Sequence, residues 1–547
     1  MSESIKARRI VAPRIVGIAI SLVACSALSR FSQLATGRPL TSLLIPSVEG
    51  VLLFLALTTI SSRIRGVRVG GFVVSVLIGA GLLLFGFGEL VTQIIYQRRF
   101  DPRADIDFLS VGLDLLFPGG REDLYQMIAI IVLSVVAVGI AVEMALTIRK
   151  ALRPTRGVAA IVGGALLPIA ATLMFTGFAD GPLARAVTVQ PDEIEVRDVS
   201  ASIVAPTPLP QAPSGDDSLR FRFPGIRDAD IHLFFVESYG ATAFTNQRLA
   251  EPLDPVLSRM ESLLSDEGYS IASRFLVSPV SGGYSWIAEA TLLTGRWVGT
   301  QIEYDSLLKT DATNIPRHLQ ESGYFTIASM PAIVKEEWPE GMRFYGYSDH
   351  LYSWDFDYHG PMFSYVAVPD QFTLWKTHNA LERLRGEAPV FAQYVLVSSH
   401  APFNIIPAFV EEWSELGDGS GYEQRETLYF DNGWLRGNEY DEGYVAAISY
   451  VLETITDYII SFVRDGSIVI LVGDHQPKRP VRELSAGKEV PIHAISRNDD
   501  VIERFVELGY ARGVNADDLA SASHMHEFFG HFFTVIGTPH ADSQTPH

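Results

Sequence analysis

Residues 467–475, SIVILVGDH, carry five apolar residues in a row at 468–472 and turn polar only at Asp474-His475. A run that is apolar at every position, rather than at alternate ones, reads as a strand covered on both faces, the pattern of a parallel sheet between helical layers. IHLFFVES (231–238), FTIASM (325–330), VFAQYVLVSSH (390–400) and VPIHAISR (490–497) have the same character. Between them lie stretches with apolar residues at helical spacing, such as YVAAISYVLETITDYIISFVRDG (444–466). Helices alternating with buried strands predict an α/β domain with a mostly parallel central sheet. Ligands of such sheets gather beyond the carboxyl ends of the strands. The polar residues found there are therefore candidates: Glu237 after the first run, Ser399-His400 after the third and Asp474-His475 after the fourth.

The chain ahead of this domain has a different character. Of 547 residues 48% are hydrophobic, and with a mean hydropathy of +0.19 this points to membrane segments. Five long apolar runs, at roughly 15–29, 42–60, 69–95, 126–147 and 157–177, account for the excess. All but the first approach or exceed the ~20 residues that cross a hydrocarbon core as a helix; the first is short and relies on Arg14 and Arg30 snorkelling. Segments that are cytoplasmic with the N-terminus inside carry eleven Lys and Arg residues, against six on the opposite loops. This bias predicts a cytoplasmic N-terminus and, after five crossings, an exported remainder. The expected architecture is an α-helical membrane domain of five transmembrane helices (1–177), a Pro/Ser-rich linker (178–227) and an exported α/β domain (228–547). Glu89 and Glu143 fall inside membrane segments, where an ionisable residue is either functional or engaged in snorkelling or interhelical hydrogen bonds.

Charge divides the same way. With 17 basic and 10 acidic residues up to position 177, the rest of the chain carries a net −27. So acidic an outer domain excludes nucleic acid as a partner and argues against electrostatic adhesion to anionic lipid. The single cysteine, Cys25, lies in the first apolar run, so the exported domain has no disulfide available.

YSWIAEATLLTGR (284–296) supplies a hydroxyl at the mouth of a helix, Ser285. With a carboxylate at Glu237 and the Asp474-His475 pair, Ser285 completes an O/O/O/N set that suits Mn²⁺ or Zn²⁺ better than Ca²⁺. Each residue also has a structural account: Glu237 as the cap of a following helix, Asp474-His475 as a hydrogen-bonded turn, Ser285 as a helix N-cap.

SWIAEATLLTGR resembles the signature of the alkaline phosphatase and sulfatase superfamily, a nucleophile opening a helix that closes nine residues later on Leu-Leu-Thr-Gly-Arg. FFVESYG, a serine 48 residues on, SSHAPF, LVGDHQP and EVPIHAISR follow in the order seen in lipoteichoic acid synthases and related phosphoglycerol transferases. Those proteins share the layout of five membrane helices before an exported catalytic domain. The resemblance implies an alkaline phosphatase-like fold and a single divalent metal, Mn²⁺ foremost with Zn²⁺ or Mg²⁺ as alternatives. It implies Glu237, Ser285, Asp474 and His475 as the metal shell, Ser285 as nucleophile and His400 as the residue touching the substrate phosphate or leaving oxygen.

The activity so implied is transfer of a phosphoglycerol or phosphoethanolamine group from a phospholipid to an envelope glycan or polymer through a covalent Ser285 intermediate. The setting is a multi-pass protein of a bacterial-type cytoplasmic membrane, with its catalytic domain outside. The alternatives are a phosphodiester or sulfate-ester hydrolase of the same superfamily and a non-catalytic, envelope-binding or sensory relative.

The departures are specific. The synthases have threonine where this chain has Ser285, and the Cys/Ser-x-Pro-x-Arg context that sulfatases need for formylglycine is absent from Ser285-Trp286-Ile287-Ala288-Glu289. The family's Trp and Arg contacts to substrate fall at altered spacing in EEWPEGMRFYGYSDHLYSWDF, which offers Trp338, Arg343 and Trp354. In the tail SASHMHEFFGHFF, His524, His526 and His531 are expected on a helix, where residues two apart face apart, as a solvated or partly packed cluster. DYHGPM (357–362) and Asp370 are expected to shape the rim of the cleft.

Overall fold

The computed structural model describes residues 88, 92, 219–221, 228–333, 338–363, 368–430, 437–478, 481, 487–515 and 519–539. Apart from Gly88 and Thr92, the expected membrane spans, with Glu89 and Glu143, lie outside the described residues, as does the linker apart from 219–221. The chain forms two compact units, Met1–Arg197 and Asp198–His547. The second unit holds the α/β domain.

Its elements, in chain order, begin with β1 (Leu219–Phe221), β2 (Ile231–Val236), α1 (Thr242–Thr245), α2 (Gln247–Asp266), β3 (Ser270–Val277) and α3 (Ser285–Thr294). Then come α4 (Gln301–Leu307), α5 (Ile315–Glu321), β4 (Phe325–Met330), α6 (Pro339–Tyr345), β5 (Asp349–Tyr352), α7 (Asp370–Leu384), β6 (Val390–Leu396), β7 (Ile405–Ile406) and β8 (Leu428–Tyr429). The last are α8 (Gly437–Phe462), β9 (Ile468–Gly473), β10 (Glu489–Ser496), α9 (Asp499–Glu507), β11 (Ala511–Arg512), β12 (Ser523–His524), α10 (Phe528–Ile536) and β13 (Gly537–Pro539).

Nine strands form one sheet in the order β11-β3-β10-β9-β2-β6-β4-β5, with β12 alongside β3. The block β9-β2-β6-β4-β5 is parallel throughout. β10 runs against both β9 and β3, so the sheet is mixed, though mostly parallel. Runs that are apolar at every residue report burial of both faces and say nothing of direction, which is why β10 reads like its parallel neighbours in the sequence.

Helices cover the sheet as the periodicity predicts. α2 buries Leu249, Leu253, Leu257, Met260 and Leu264, one residue per turn, and Asn246 caps its start by accepting from the Arg248 N–H. Tyr440–Phe462 of α8 is the one helix among the described residues long and apolar enough to cross a membrane. Its stripe of Tyr444, Ile448, Val451, Ile455, Tyr458 and Ile459 is instead buried in the core of this domain.

The edge of the sheet where β2 begins is tied by charge. Asp230 is buried and accepts from both guanidinium arms of Arg385, at 2.7 and 3.0 Å, and from the Val390 N–H at 2.8 Å. Arg385 follows α7, so the pair fixes that helix to β2 and β6 at once. Removing the guanidinium strands a buried carboxylate, only partly compensated by the exposed Arg464 at 3.6 Å. Arg385→Ala is expected to lower unfolding free energy by about 3 kcal/mol, measured by urea unfolding of the detergent-solubilised chain with tryptophan fluorescence.

Candidate metal centre

The register of the parallel block sets the geometry. β2 pairs Val236 with Gly473 of β9 on one side and with Leu396 of β6 on the other, so the residues just past three strand ends emerge together. Glu237 follows β2, Asp474-His475 follow β9, and Ser399-His400 lie three and four residues beyond β6. Ligand atoms of Glu237, Asp474 and His475 all lie within 4.8 Å of one another, and all three residues are buried. Ser285 joins them from the first position of α3: its Oγ donates to Glu237 Oε2 at 2.9 Å and stands 3.4 Å from His475 Nε2.

The turns that deliver these side chains are backbone-strained. Ser238, directly after Glu237, has φ 60°, and Tyr284, directly before Ser285, has φ 68°, values that non-glycine residues rarely adopt. Ser238 secures its turn twice: its N–H donates to Asp474 Oδ1 at 2.8 Å and its Oγ to Glu237 Oε1 at 2.9 Å. The approach of the two strand ends requires Gly473, where an added Cβ would lie 1.8 Å from the Tyr239 carbonyl oxygen.

Protonation follows from crowding. Burial opposes the charge of Glu237, yet His475 and the hydrogen bonds from His475 and Ser285 hold its carboxyl well below the usual range. Asp474 is pushed the other way, by burial and then by the Glu237 charge. Burial alone would lower the pKa of His475, but Asp474 and Glu237 raise it to about 9. Nδ1 of His475 donates to the Gln476 carbonyl at 2.9 Å, so Nε2 is the atom turned toward both carboxylates, at 3.2 Å from Glu237 Oε1 and 3.6 Å from Asp474 Oδ2. Two carboxylates, an imidazole with its outer nitrogen pinned and a hydroxyl, all converging in a buried space, fit a small divalent cation.

His400 is set up differently. Its Nδ1 donates to the Ala401 carbonyl at 2.5 Å, and burial lowers its pKa to about 4 against the pull of Glu237, with Lys478 lowering it further. It is thus neutral, with the proton on Nδ1. Trp338 precedes the first residue of α6 and packs its ring against Tyr345, and Arg343 on α6 donates to the Leu308 carbonyl at 3.5 Å. Trp354 is half exposed just past β5.

Two groups at the site, Lys478 and Glu289, were not singled out by sequence reading. Lys478, three residues after His475, is buried, its ammonium in the field of Glu237. Ser399 donates to the Glu237 carbonyl oxygen at 2.6 Å. Glu289 lies one helical turn past Ser285 and accepts from Gln393 Nε2 at 2.9 Å; burial, then Asp474 and Glu237, push its pKa to about 8, so it is neutral at pH 7. The i, i+4 spacing from Ser285 was a usable signal for Glu289, since it places both on one face of α3. Lys478 follows a proline and carries no such pattern.

Two expectations are corrected. Asp370 is no rim residue: it is fully buried and accepts from the Val397 and Ser398 N–H groups at 2.8 and 3.1 Å, fastening the turn that carries His400. The histidine tail is not one helix, since His524 ends β12, His526 lies in a 3-10 turn (Met525–Glu527) and only His531 is on α10. His524 and His526 both meet Trp297 edge-on, at 5.0 and 5.8 Å, and His531 contacts the Tyr510 hydroxyl at 3.3 Å.

No protein-family model and no curated protein matches the chain. Solved structures similar to it include the lipoteichoic acid synthase LtaP from Listeria monocytogenes, at 16% identity over 51% of this chain and 69% of that one, TM-score 0.35. A protein in the alkaline phosphatase superfamily from Vibrio parahaemolyticus matches at 17% identity over 63% and 74%, TM-score 0.36. Streptococcus pyogenes phosphoglycerol transferase GacH, in complex with sn-glycerol-1-phosphate, matches at 14% identity over 57% and 75%, TM-score 0.37. At these identities and scores the chemistry rests on the residues themselves.

A cation entering this cluster must displace the protons that His475 and Asp474 retain. Mn²⁺ binding is therefore expected to release protons and to tighten by about tenfold per pH unit for each proton displaced as pH rises from about 6 to 8. Calorimetry in buffers of different ionisation enthalpy checks this; affinity that does not vary with pH would contradict the ligand set.

Proposed function

We propose that the chain is a metal-dependent, membrane-bound transferase that moves a phosphoryl-linked headgroup, phosphoglycerol or phosphoethanolamine, from a phospholipid to an envelope glycan or polymer. The observation that carries this reading is the place of Ser285, at the first position of a helix with its hydroxyl 2.9 Å from a buried, ionised carboxylate and 3.4 Å from an imidazole.

Each residue has a task. The N-terminus of α3 offers its first backbone N–H groups and a positive dipole end to the donor phosphate. Glu237 takes the hydrogen bond of the Ser285 hydroxyl and so orients an oxygen lone pair toward phosphorus. A divalent cation held by Glu237, Ser285, Asp474 and His475 would supply charge neutralisation on the phosphate oxygens and a lowered serine pKa. Lys478 adds a fixed positive charge beside the same phosphate.

In the first half-reaction the Ser285 Oγ–P bond forms, the bond from phosphorus to the diacylglycerol oxygen breaks, and the serine proton ends on diacylglycerol. In the second, an acceptor hydroxyl attacks, the Oγ–P bond breaks, and the acceptor's proton returns to Ser285. His400, neutral and with its proton on Nδ1, presents Nε2 as the base for that hydroxyl. The donor fits the sequence layout, in which residues 1–177 hold the protein in the cytoplasmic membrane and the catalytic domain lies outside.

Ser285→Ala is expected to lower diacylglycerol release from labelled phosphatidylglycerol or phosphatidylethanolamine by at least about 10³-fold in Mn²⁺, with an unchanged circular dichroism spectrum. Acid-quenched wild-type protein is expected to carry label that the variant lacks. Equal release by both proteins would remove Ser285 as nucleophile.

A further inference from the structure

Two excursions of the chain, described over residues 353–363 and 397–430, start from the edge of the sheet that bears the candidate site. One leaves the end of β5 and returns at the start of α7; the other leaves the end of β6 and returns at the start of α8. Because β5 and β6 are parallel to β2 and β9, both excursions rise from the edge of the sheet that carries Glu237 and Asp474. They touch: the His359 N–H donates to the Asp418 carbonyl at 2.8 Å, and Phe363 packs edge-on against Tyr422 at 5.4 Å.

Both hold large apolar side chains in solvent. Met362 and Tyr429 are 70% and 74% exposed, and Trp354 and Leu428 46% and 49%. Ile302, 47% exposed, belongs to the same edge, because Trp286 Nε1 donates to Gln301 at 2.8 Å and so brings the start of α4 beside the first turn of α3. Seven large apolar side chains are exposed among the described residues, and the other two, Leu263 and Leu384, lie at the opposite edge, near the ends of helices that lead into β3 and β6. A lone exposed apolar residue is ordinary; five on the edge that bears the site mark a surface that meets something apolar.

The chemistry selects the partner. Trp and Tyr are the side chains that settle at a bilayer interface, with the ring among acyl chains and the polar group at the headgroups. The net −27 beyond residue 177 makes attraction to anionic lipid an unsuitable adhesive, so contact must be apolar. The five apolar runs of 1–177 already imply a bilayer within reach of the domain.

We infer that the rim formed by Trp354, Met362, Leu428 and Tyr429 is a lipid-docking surface, which inserts into the outer face of a phospholipid bilayer and sets the mouth of the site against the headgroups. This rests on the proposed function only for its purpose, delivery of a headgroup phosphodiester without extracting the lipid. The contact itself stands on the exposed side chains.

The test uses the full chain in phosphatidylcholine nanodiscs. In a Cys25→Ser background, Met362→Cys, Tyr429→Cys and, as control, Leu384→Cys are each labelled with an environment-sensitive fluorophore. Spin-labelled lipid is expected to quench positions 362 and 429 severalfold more than 384, and to do so equally at about 0.5 M salt, where surface charges are screened within a few ångströms. Equal quenching at all three positions overturns the inference, as does shielding that follows protein concentration instead of quencher lipid, the sign of a second copy of the chain. The readout needs no turnover, so it can fail while Ser285 chemistry stands, or hold while that chemistry fails. In activity, the double variant Met362→Asp/Tyr429→Asp is expected to raise KM for bilayer-embedded donor about tenfold and leave turnover of a water-soluble phosphodiester unchanged; an unchanged KM for the bilayer donor counts against docking.

Discussion

The constraint on which the site depends is the burial of two carboxylates at the ends of adjacent strands. β2 and β9 are parallel and in register, so Glu237 and Asp474 must emerge side by side, and both are removed from water. Two like charges in that position repel strongly in a medium less polar than water. The fold answers by placing an imidazole between them, His475, and by dividing the charge unequally, with Glu237 ionised and Asp474 driven toward its neutral form. A dication held by Glu237, Asp474 and His475 would balance both carboxylates at once. The same arrangement is therefore a folded apo state and a site with a strong preference for a compact double charge.

Most of this was legible in the sequence because it sits where periodicity ends. FFVES and LVGDH each break from unbroken apolar character into polar residues, and in a parallel sheet that break marks the ligand-bearing edge. Ser285 stood out as a hydroxyl at the mouth of a predicted helix in YSWIAEATLLTGR. Ser238 gave no such signal. Its positive φ is imposed by the two hydrogen bonds it makes to Asp474 and Glu237, and no composition rule reports a bond between residues 236 positions apart. The reversed direction of β10, the burial of Asp370 and the division of the histidine tail were hidden for a related reason. Each is decided by which partner a segment meets in space.

Strain and packing at the site serve one end, the approach of backbones that would otherwise keep apart. Gly473 admits the Tyr239 carbonyl where no side chain would fit, while Ser238 and Tyr284 hold φ values that cost on the order of 1–3 kcal/mol each. Such costs persist only where surrounding contacts outweigh them, and here these are the buried sheet beneath and the hydrogen bonds above. Glu289 extends the scheme behind α3. Neutral at pH 7 and bonded to Gln393, which in turn accepts from the Tyr347 hydroxyl, it ties the first turn of α3 to β6 without adding a third negative charge to the cluster.

The two histidines of the cleft show how one residue type is given two roles. In both, Nδ1 donates to the carbonyl of the next residue, Gln476 for His475 and Ala401 for His400. Their fields differ. His475 lies between two carboxylates that overcome burial and raise its pKa to about 9, which makes it a cation in the metal-free site and a nitrogen ligand once that proton is displaced. His400 is governed by burial, which, with Lys478 adding to it against the pull of Glu237, brings its pKa down to about 4 and leaves it neutral at pH 7. One imidazole is thus charged and the other neutral at pH 7, a difference set by their neighbours and not by residue type.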